Sequence, residues 1–310
     1  MSDLQLTILG CGSALPAKGR MPSSQFLKAG KYTFLIDCGE GTQHLIRKYR
    51  LKLQSISHIC ISHMHGDHFL GLMGLLFSMR LLGREKSITL IGPRELEELI
   101  ELHLKHANAS LGYEILYLHT QGKTKELLLD LDTITVHSLP LDHKIPTTGF
   151  LFREKPRPRK LIKEQLQRHE VPIRVRQSLT QGEDYVTESG QRISNAELTT
   201  DPEPPHSYAY CSDTAYKESL IEDLDGAEVL YHESTFMEKD RARAEKTRHS
   251  TAAQAALIAK AAGVKKQLLL GHYSARYDDL DPLLHEAREV FPASVLSQEG
   301  MVVDFHNPFG

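Results

Sequence analysis

Nowhere does the chain approach the roughly 18 to 20 consecutive apolar residues that span a bilayer. Its opening, MSDLQLTILG, has neither the basic start nor the cleavage site of a signal peptide. No membrane partner is therefore expected, and the expected location is the cytoplasm. Cysteine is scarce as well. Cys11, Cys38, Cys60 and Cys211 lie far apart inside apolar runs, which argues for buried reduced thiols and against a disulfide framework or a thiolate metal site. Nor is there a surplus of positive charge: 37 Lys and Arg against 40 Asp and Glu leave a net −3. That balance argues against a protein that coats nucleic acid non-specifically. Internal repeats and low-complexity tracts are also missing. What remains is ordinary globular composition, 40% hydrophobic and 25% charged, in 310 residues that can bury a sizeable core.

Short β-rich runs recur at 4–9, 32–37, 58–62, 87–91, 113–118, 133–139, 208–213, 227–233, 266–272 and 301–305. Helical patterns over 69–82, 93–107, 251–262 and 280–290 lie between several of them, which predicts a layered α/β architecture. Residues 153–206 differ from their surroundings. They combine several prolines, the hairpin-like TESGQRI and the polar TTDPEPPH. From Arg153 to Arg176 they carry nine Lys or Arg against three Glu. This stretch reads as an inserted, protruding basic arm within a single domain spanning 1–310.

The densest chemistry lies in ISHMHGDHFLG, residues 61–71, where His63, His65, Asp67 and His68 crowd between a short apolar strand and FLGLMGLLFSMRLL. The latter is apolar on every side and predicts a buried helix. A tight turn at Gly66 would gather the four polar groups at the strand's end. Imidazole and carboxylate are the ligands that suit zinc, so the cluster predicts a metal site. One loop cannot complete two zinc shells. Further ligands are expected at other strand ends, where His143, Asp213 and His272 stand.

A second constellation follows RHST. Thr251 and Gln254 have the spacing of a capping box, and Gly263 is a helix stop, so His249 stands just before a helix N-terminus, where backbone N–H groups favour an anion such as phosphate. Ser274 and Arg276 lie just past His272, within reach of a phosphate bound there. Asp37 and Glu40, in IDCGEGTQ, can either brace a ligand histidine through a hydrogen bond or stabilise a turn.

HMHGDH followed by His143, Asp213 and His272 resembles the metallo-β-lactamase superfamily. FLIDCGEGTQHLI, HKIPTTGF, SDT, HEST, RHST and HYSARY extend the resemblance over nearly the whole chain, to the ribonuclease Z family of tRNA 3′-processing endonucleases. The resemblance implies an αββα metallo-β-lactamase-like sandwich holding two zinc ions per subunit. His63, His65, His143 and Asp213 would hold one ion; Asp67, His68, His272 and the shared Asp213 would hold the other. It implies that Asp67 also activates the attacking water, that His249 assists the leaving group, and that Glu233 orients His249. The substrate implied is precursor tRNA, cut after the discriminator base, with no DNA partner and with a homodimer as the working form. Lys18 and Arg20 match a family loop near the RNA 3′ end, although Met21 replaces the family's asparagine. The arm, through Lys155, Arg157, Arg159 and Lys160, would grip the tRNA elbow by its phosphates. The alternative is a superfamily hydrolase of small phosphodiesters, thioesters or lactones, which would share the metal ligands but has no need of the arm.

Overall fold

A computed structural model of the chain describes residues 4–305; the outermost ends of the expected 1–310 domain lie outside the described residues. Strand Tyr32–Cys38 shows why layers form. Phe34 and Ile36 point to one face, Leu35 and Cys38 to the other, and all four are buried. A strand apolar on both faces needs cover on both. Phe34 and Ile36 join Leu6, Ile8, Phe150, Phe152 and Tyr208 in the core between two sheets. Leu35 and Cys38 meet Leu45, Leu72, Leu75, Leu76 and Ile100, which belong to helices on the outer side.

The first sheet has the spatial order Val302–Asp304, Leu4–Gly10, Ser24–Ala29, Tyr32–Cys38, His58–Cys60, Ile88–Gly92, Ile115–His119. The second runs Ser294–Leu296, Gln267–Gly271, Val229–Glu233, Ser207–Cys211, Thr148–Glu154, Ile134–Pro140, Leu127–Asp130. Helices Ala252–Ala261 and Asp281–Val290 cover the second sheet's outer face. The result is the expected αββα sandwich. Four neighbouring strands are parallel in each sheet. In sheets of this kind, ligands bind beyond the carboxyl ends of the strands.

Two local expectations are corrected. Gly66 makes no tight turn; it opens a one-turn helix, Gly66–Phe69, with His65 as its extended cap. The helix expected over 69–82 also divides, restarting as Leu72–Leu81. Gly71 is the cause. Its N–H bonds Cys38 O at 2.9 Å, and a Cβ there would meet Gly39 O at 2.2 Å, so the chain must press bare backbone against the end of strand Tyr32–Cys38. Nor is that segment buried on all sides, since Leu70 and Leu82 are each 63% exposed and Leu81 is 83% exposed. The helix lies on the sheet's outer surface and buries one side only.

Residues 154–205 cluster as a compact unit of their own. The unit holds the hairpin Tyr185–Val186/Arg192–Ile193, the strand pair Lys160–Leu161/Thr199–Thr200, and a small core of Leu166, Val171, Leu179, Tyr185, Ile193 and Leu198. Its charge is more even than the stretch up to Arg176 suggests, with nine basic residues against nine acidic across 154–205. Ion pairs Arg159–Asp201, Arg174–Glu188 and Arg192–Asp184 tie several cations down.

One core histidine links the fold to pH. His58 opens its strand stacked on Phe34 at 4.7 Å, edge-on to Tyr32 at 5.8 Å, and burial pushes its pKa down to about 4. The folded state then keeps His58 neutral while the unfolded chain takes up a proton below its ordinary value. Stability is therefore lost as pH falls from about 6.5 towards 4. Between pH 7 and pH 5 this group should cost about 2 kcal/mol. In urea unfolding at the two pH values, His58→Asn should show a pH penalty smaller than the wild type's by about that amount.

Candidate metal centre and hydrolytic site

Ring tautomers in the site follow from the hydrogen bonds their Nδ1 atoms make. His63 Nδ1–H donates to Ser62 Oγ at 2.9 Å, and His143 Nδ1–H donates to the Arg248 carbonyl at 2.8 Å. Both rings are left with a bare Nε2. The two Nε2 atoms face His65 Nδ1 at 3.0 and 3.2 Å, and Asp213 Oδ2 lies 3.7 Å from each. His65 could donate to one of them at most; a cation satisfies all four groups at once. Ligands at zinc bond lengths of about 2.0–2.2 Å stand roughly 3.4 Å apart along a tetrahedral edge, which is the spacing seen. Burial above all holds His63, His65 and His143 below the ordinary histidine pKa, and so neutral and able to ligate.

A second pocket adjoins the first. His68 Nδ1–H donates to Asp37 Oδ2 at 2.7 Å and His272 Nδ1–H to Thr235 Oγ1 at 2.9 Å, which turns both Nε2 atoms inward. Asp213 Oδ1 lies 3.3 Å from His68 Nε2 and 3.1 Å from His272 Nε2; Asp67 Oδ2 lies 3.5 and 3.3 Å away. His68 Nε2 is buried with no hydrogen-bond partner. Asp213 therefore turns one oxygen to each pocket, the arrangement by which a carboxylate bridges two cations about 3.5–4 Å apart. The donor set, all imidazole nitrogen and carboxylate oxygen, fits zinc. Burial works against charge on Asp67, yet flanking His68 and His272 hold its carboxyl far below the usual range. Ala14 N–H also donates to Asp67 Oδ2, at 2.7 Å.

Asp37, left open between two roles, braces His68 directly and His63 through Ser62. It is fully buried and takes Ser62 N–H on Oδ1 at 2.7 Å; Oδ2 receives Ser62 Oγ–H at 2.9 Å and Tyr210 O–H at 2.6 Å besides His68. His63 thus leans on Asp37 through Ser62. The second half of the site repeats the pattern, because Thr235 Oγ1, which receives His272, donates to Glu233 Oε2 at 2.7 Å. Glu40 is exposed and lines the cavity. Asp37 and His272 hold left-handed backbone, at φ 55° and 59°, and Arg248 does so at 60°. Such strain in non-glycine residues gathers at functional sites.

Beside the pockets, His249 Nδ1–H bonds Glu233 Oε1 at 2.7 Å. Glu233 is fully buried and accepts Thr214 N–H and Thr235 N–H as well, at 3.0 and 3.1 Å. Burial disfavours a charged His249, but the Glu233 carboxylate outweighs it and raises the pKa to about 9. Asp213 Oδ2 is 4.0 Å from the same nitrogen, which Glu233 already occupies. The capping box forms, with Thr251 Oγ1 accepting Gln254 N–H at 3.2 Å. A cavity of about 430 Å³ joins His65, Asp67, His143, Asp213, His249 and His272.

Several residues expected to contact RNA already bond within the chain. Lys18 pairs with Asp278, and Arg20 donates to Tyr277 O at 2.7 Å; both line a neighbouring cavity with Met21, His44 and Lys48. Arg276 spans Ser274 Oγ at 3.2 Å, Asp240 Oδ1 at 3.7 Å and the Phe236 ring. Arg157 reaches Glu154 at 3.4 Å, Lys155 is half-buried, and Lys160 is exposed.

Comparison with known proteins now bears on this geometry. A sequence model for the family described as Anti-Pycsar protein Apyc1 matches residues 4–153, just under half of the chain. "Ribonuclease Z" of Parabacteroides distasonis is 44% identical over 301 residues, covering 97% of this chain and 99% of that protein. "Ribonuclease Z" of Bacteroides fragilis strain YCH46 is 44% identical over 303 residues, covering 98% and 99%. The chain belongs to the ribonuclease Z family. Among solved structures, human tRNase Z, short form, superposes with a TM-score of 0.70 at 24% identity over 97% of this chain and 98% of that one, which shows the shared fold.

The Glu233–His249 pair yields a test. Glu233→Gln removes the charge that raises the His249 pKa, so the alkaline limb of the pH–rate profile should move down by about two units. An unmoved limb would detach His249 from that limb.

Proposed function

We propose that this ribonuclease Z family member removes the 3′ trailer from precursor tRNA after the discriminator base, leaving a 3′-hydroxyl on the tRNA and a 5′-phosphate on the trailer. The observation that carries this reading is the carboxylate-backed His249 beside two adjoining metal pockets that share Asp213. His63, His65, His143 and Asp213 would hold one zinc ion and Asp67, His68, His272 and Asp213 a second, which when bound would supply Lewis acidity and a more acidic water. Asp67 orients the attacking water and takes its proton. The new O–P bond forms as the bond from phosphorus to the ribose 3′-oxygen breaks. His249, kept protonated by Glu233, gives its proton to that departing oxygen. Thr214 N–H and Thr235 N–H hold Glu233 in place throughout.

The arm serves binding, not chemistry. Lys160, Lys163 and Arg168 are exposed and have no ion-pair partner among the described residues, so phosphate contact falls first to them. Family resemblance supports a homodimer in which one subunit's arm serves the partner's site, and a cytoplasmic location. Among the described residues, no helix is long and apolar enough to cross a membrane.

Two 3′-extended precursor tRNAs, one encoding CCA and one not, offered to zinc-loaded and chelator-stripped protein with the ends mapped, test the reaction. Zinc-restored cleavage after the discriminator is expected. Turnover of bis-p-nitrophenyl phosphate with neither tRNA cut would favour a small-phosphodiester hydrolase instead. Asp67→Ala should lose cleavage by at least about 100-fold while tRNA binding in a filter assay stays near wild type; retained turnover would remove Asp67 from the mechanism. Deleting about 155–200 should weaken tRNA binding yet spare the small phosphodiester, and equal loss of both would end the arm's assignment.

A further inference from the structure

Tyr210 stands in strand Ser207–Cys211 of the second sheet, three positions before Asp213, while Asp37 and His68 belong to the first half of the chain. Its ring is 1% exposed and lies on Tyr231 at 5.1 Å and 20°. Its hydroxyl crosses between the sheets to Asp37 Oδ2 at 2.6 Å, the oxygen that also receives His68 Nδ1–H at 2.7 Å. Burial keeps the phenol neutral, so it donates. The carboxylate that aims His68 is therefore fixed from the first sheet by Ser62 and from the second by Tyr210.

We infer that the Tyr210 hydroxyl is a positioning group for the second metal pocket: it sets the Asp37 carboxylate, and through it the direction of His68 Nε2. Without it, Asp37 keeps its two bonds from Ser62 but loses the one donor that ties it to the sheet carrying Asp213 and His272. His68 Nε2 must meet Asp213 Oδ1 and Asp67 Oδ2 at 3.3 and 3.5 Å, and small rotations of Asp37 pass directly into that meeting. The first pocket feels Asp37 only through Ser62 and His63, so the effect falls mainly on one of two ions. The inference rests on the reading of the two clusters as metal pockets and not on the RNA substrate.

The test is zinc titration of chelator-stripped protein against a chromophoric competitor, on wild type, Tyr210→Phe and Tyr231→Phe. Tyr231 supplies the control: its hydroxyl is buried close by with no hydrogen-bond partner. Tyr210→Phe should weaken one of two zinc equivalents by about tenfold or more, leaving the other near wild type. Tyr231→Phe should leave both steps unchanged. Each protein's fold is checked by urea unfolding. A second arm uses Asp37→Asn: a hydroxyl that acts through Asp37 has nothing to add there, so the double variant should bind zinc no more weakly than Asp37→Asn alone. Equal titrations for wild type and Tyr210→Phe would overturn the inference, as would equal loss in both tyrosine variants or additive loss in the double variant. Wild-type protein that takes up no zinc would overturn the metal reading beneath it.

Discussion

Three imidazole nitrogens aimed at one point repel each other until a cation lies between them, and the fold is arranged to hold them there anyway. His63 and His143 each spend a proton on a partner behind the ring, so that the nitrogen facing inward is bare. The same device turns His68 and His272. Burial costs His63 and His143 little while they stay neutral, but it raises the penalty for leaving them unpaired. The sandwich meets that penalty with rigid strand ends on two sheets.

Two chains of the same chemical type run behind the pockets. His63 leads through the Ser62 hydroxyl to Asp37, and His272 leads through the Thr235 hydroxyl to Glu233. In each, a hydroxyl that must both accept and donate fixes the proton order along the line. Glu233 then has a second duty, because His249 takes its other oxygen. One buried carboxylate thereby orients His272, through Thr235, and His249 together. Arg248 adds a further tie. Its carbonyl holds His143 while its guanidinium grips Asp142 at 2.7 and 2.8 Å, and His249 is the next residue.

The candidate ligand clusters were legible in the sequence because metal binding demands particular residue types at strand ends, and HMHGDH packs four of them into six positions. What supports them was not. That Asp37 bonds His68 is seen only after folding brings Ser62, His68 and Tyr210, the last 173 residues away, to one carboxylate. The strand Ser24–Ala29 escapes a hydropathy reading because Ser24 and Gln25 are polar yet fully covered, Gln25 receiving the Tyr208 hydroxyl across the sheets. Leucines at 70, 81 and 82 misled in the opposite sense, since composition alone cannot tell which side of a helix a sheet will cover. The arm's basic stretch up to Arg176 was plain, but most of its balancing acids arrive later in the chain and meet it only after folding.

The candidate ligands are spread from His63 to His272, with Asp213, which faces both clusters, between. A chain emerging from the ribosome carries HMHGDH early, but gains the shared carboxylate only after two-thirds of its length and the last imidazole later still. Metal capture at such a site is coupled to folding. On the proposed reading, a copy that stops short of His272 lacks part of the second shell, because the last groups to complete it stand at strand ends of the second sheet.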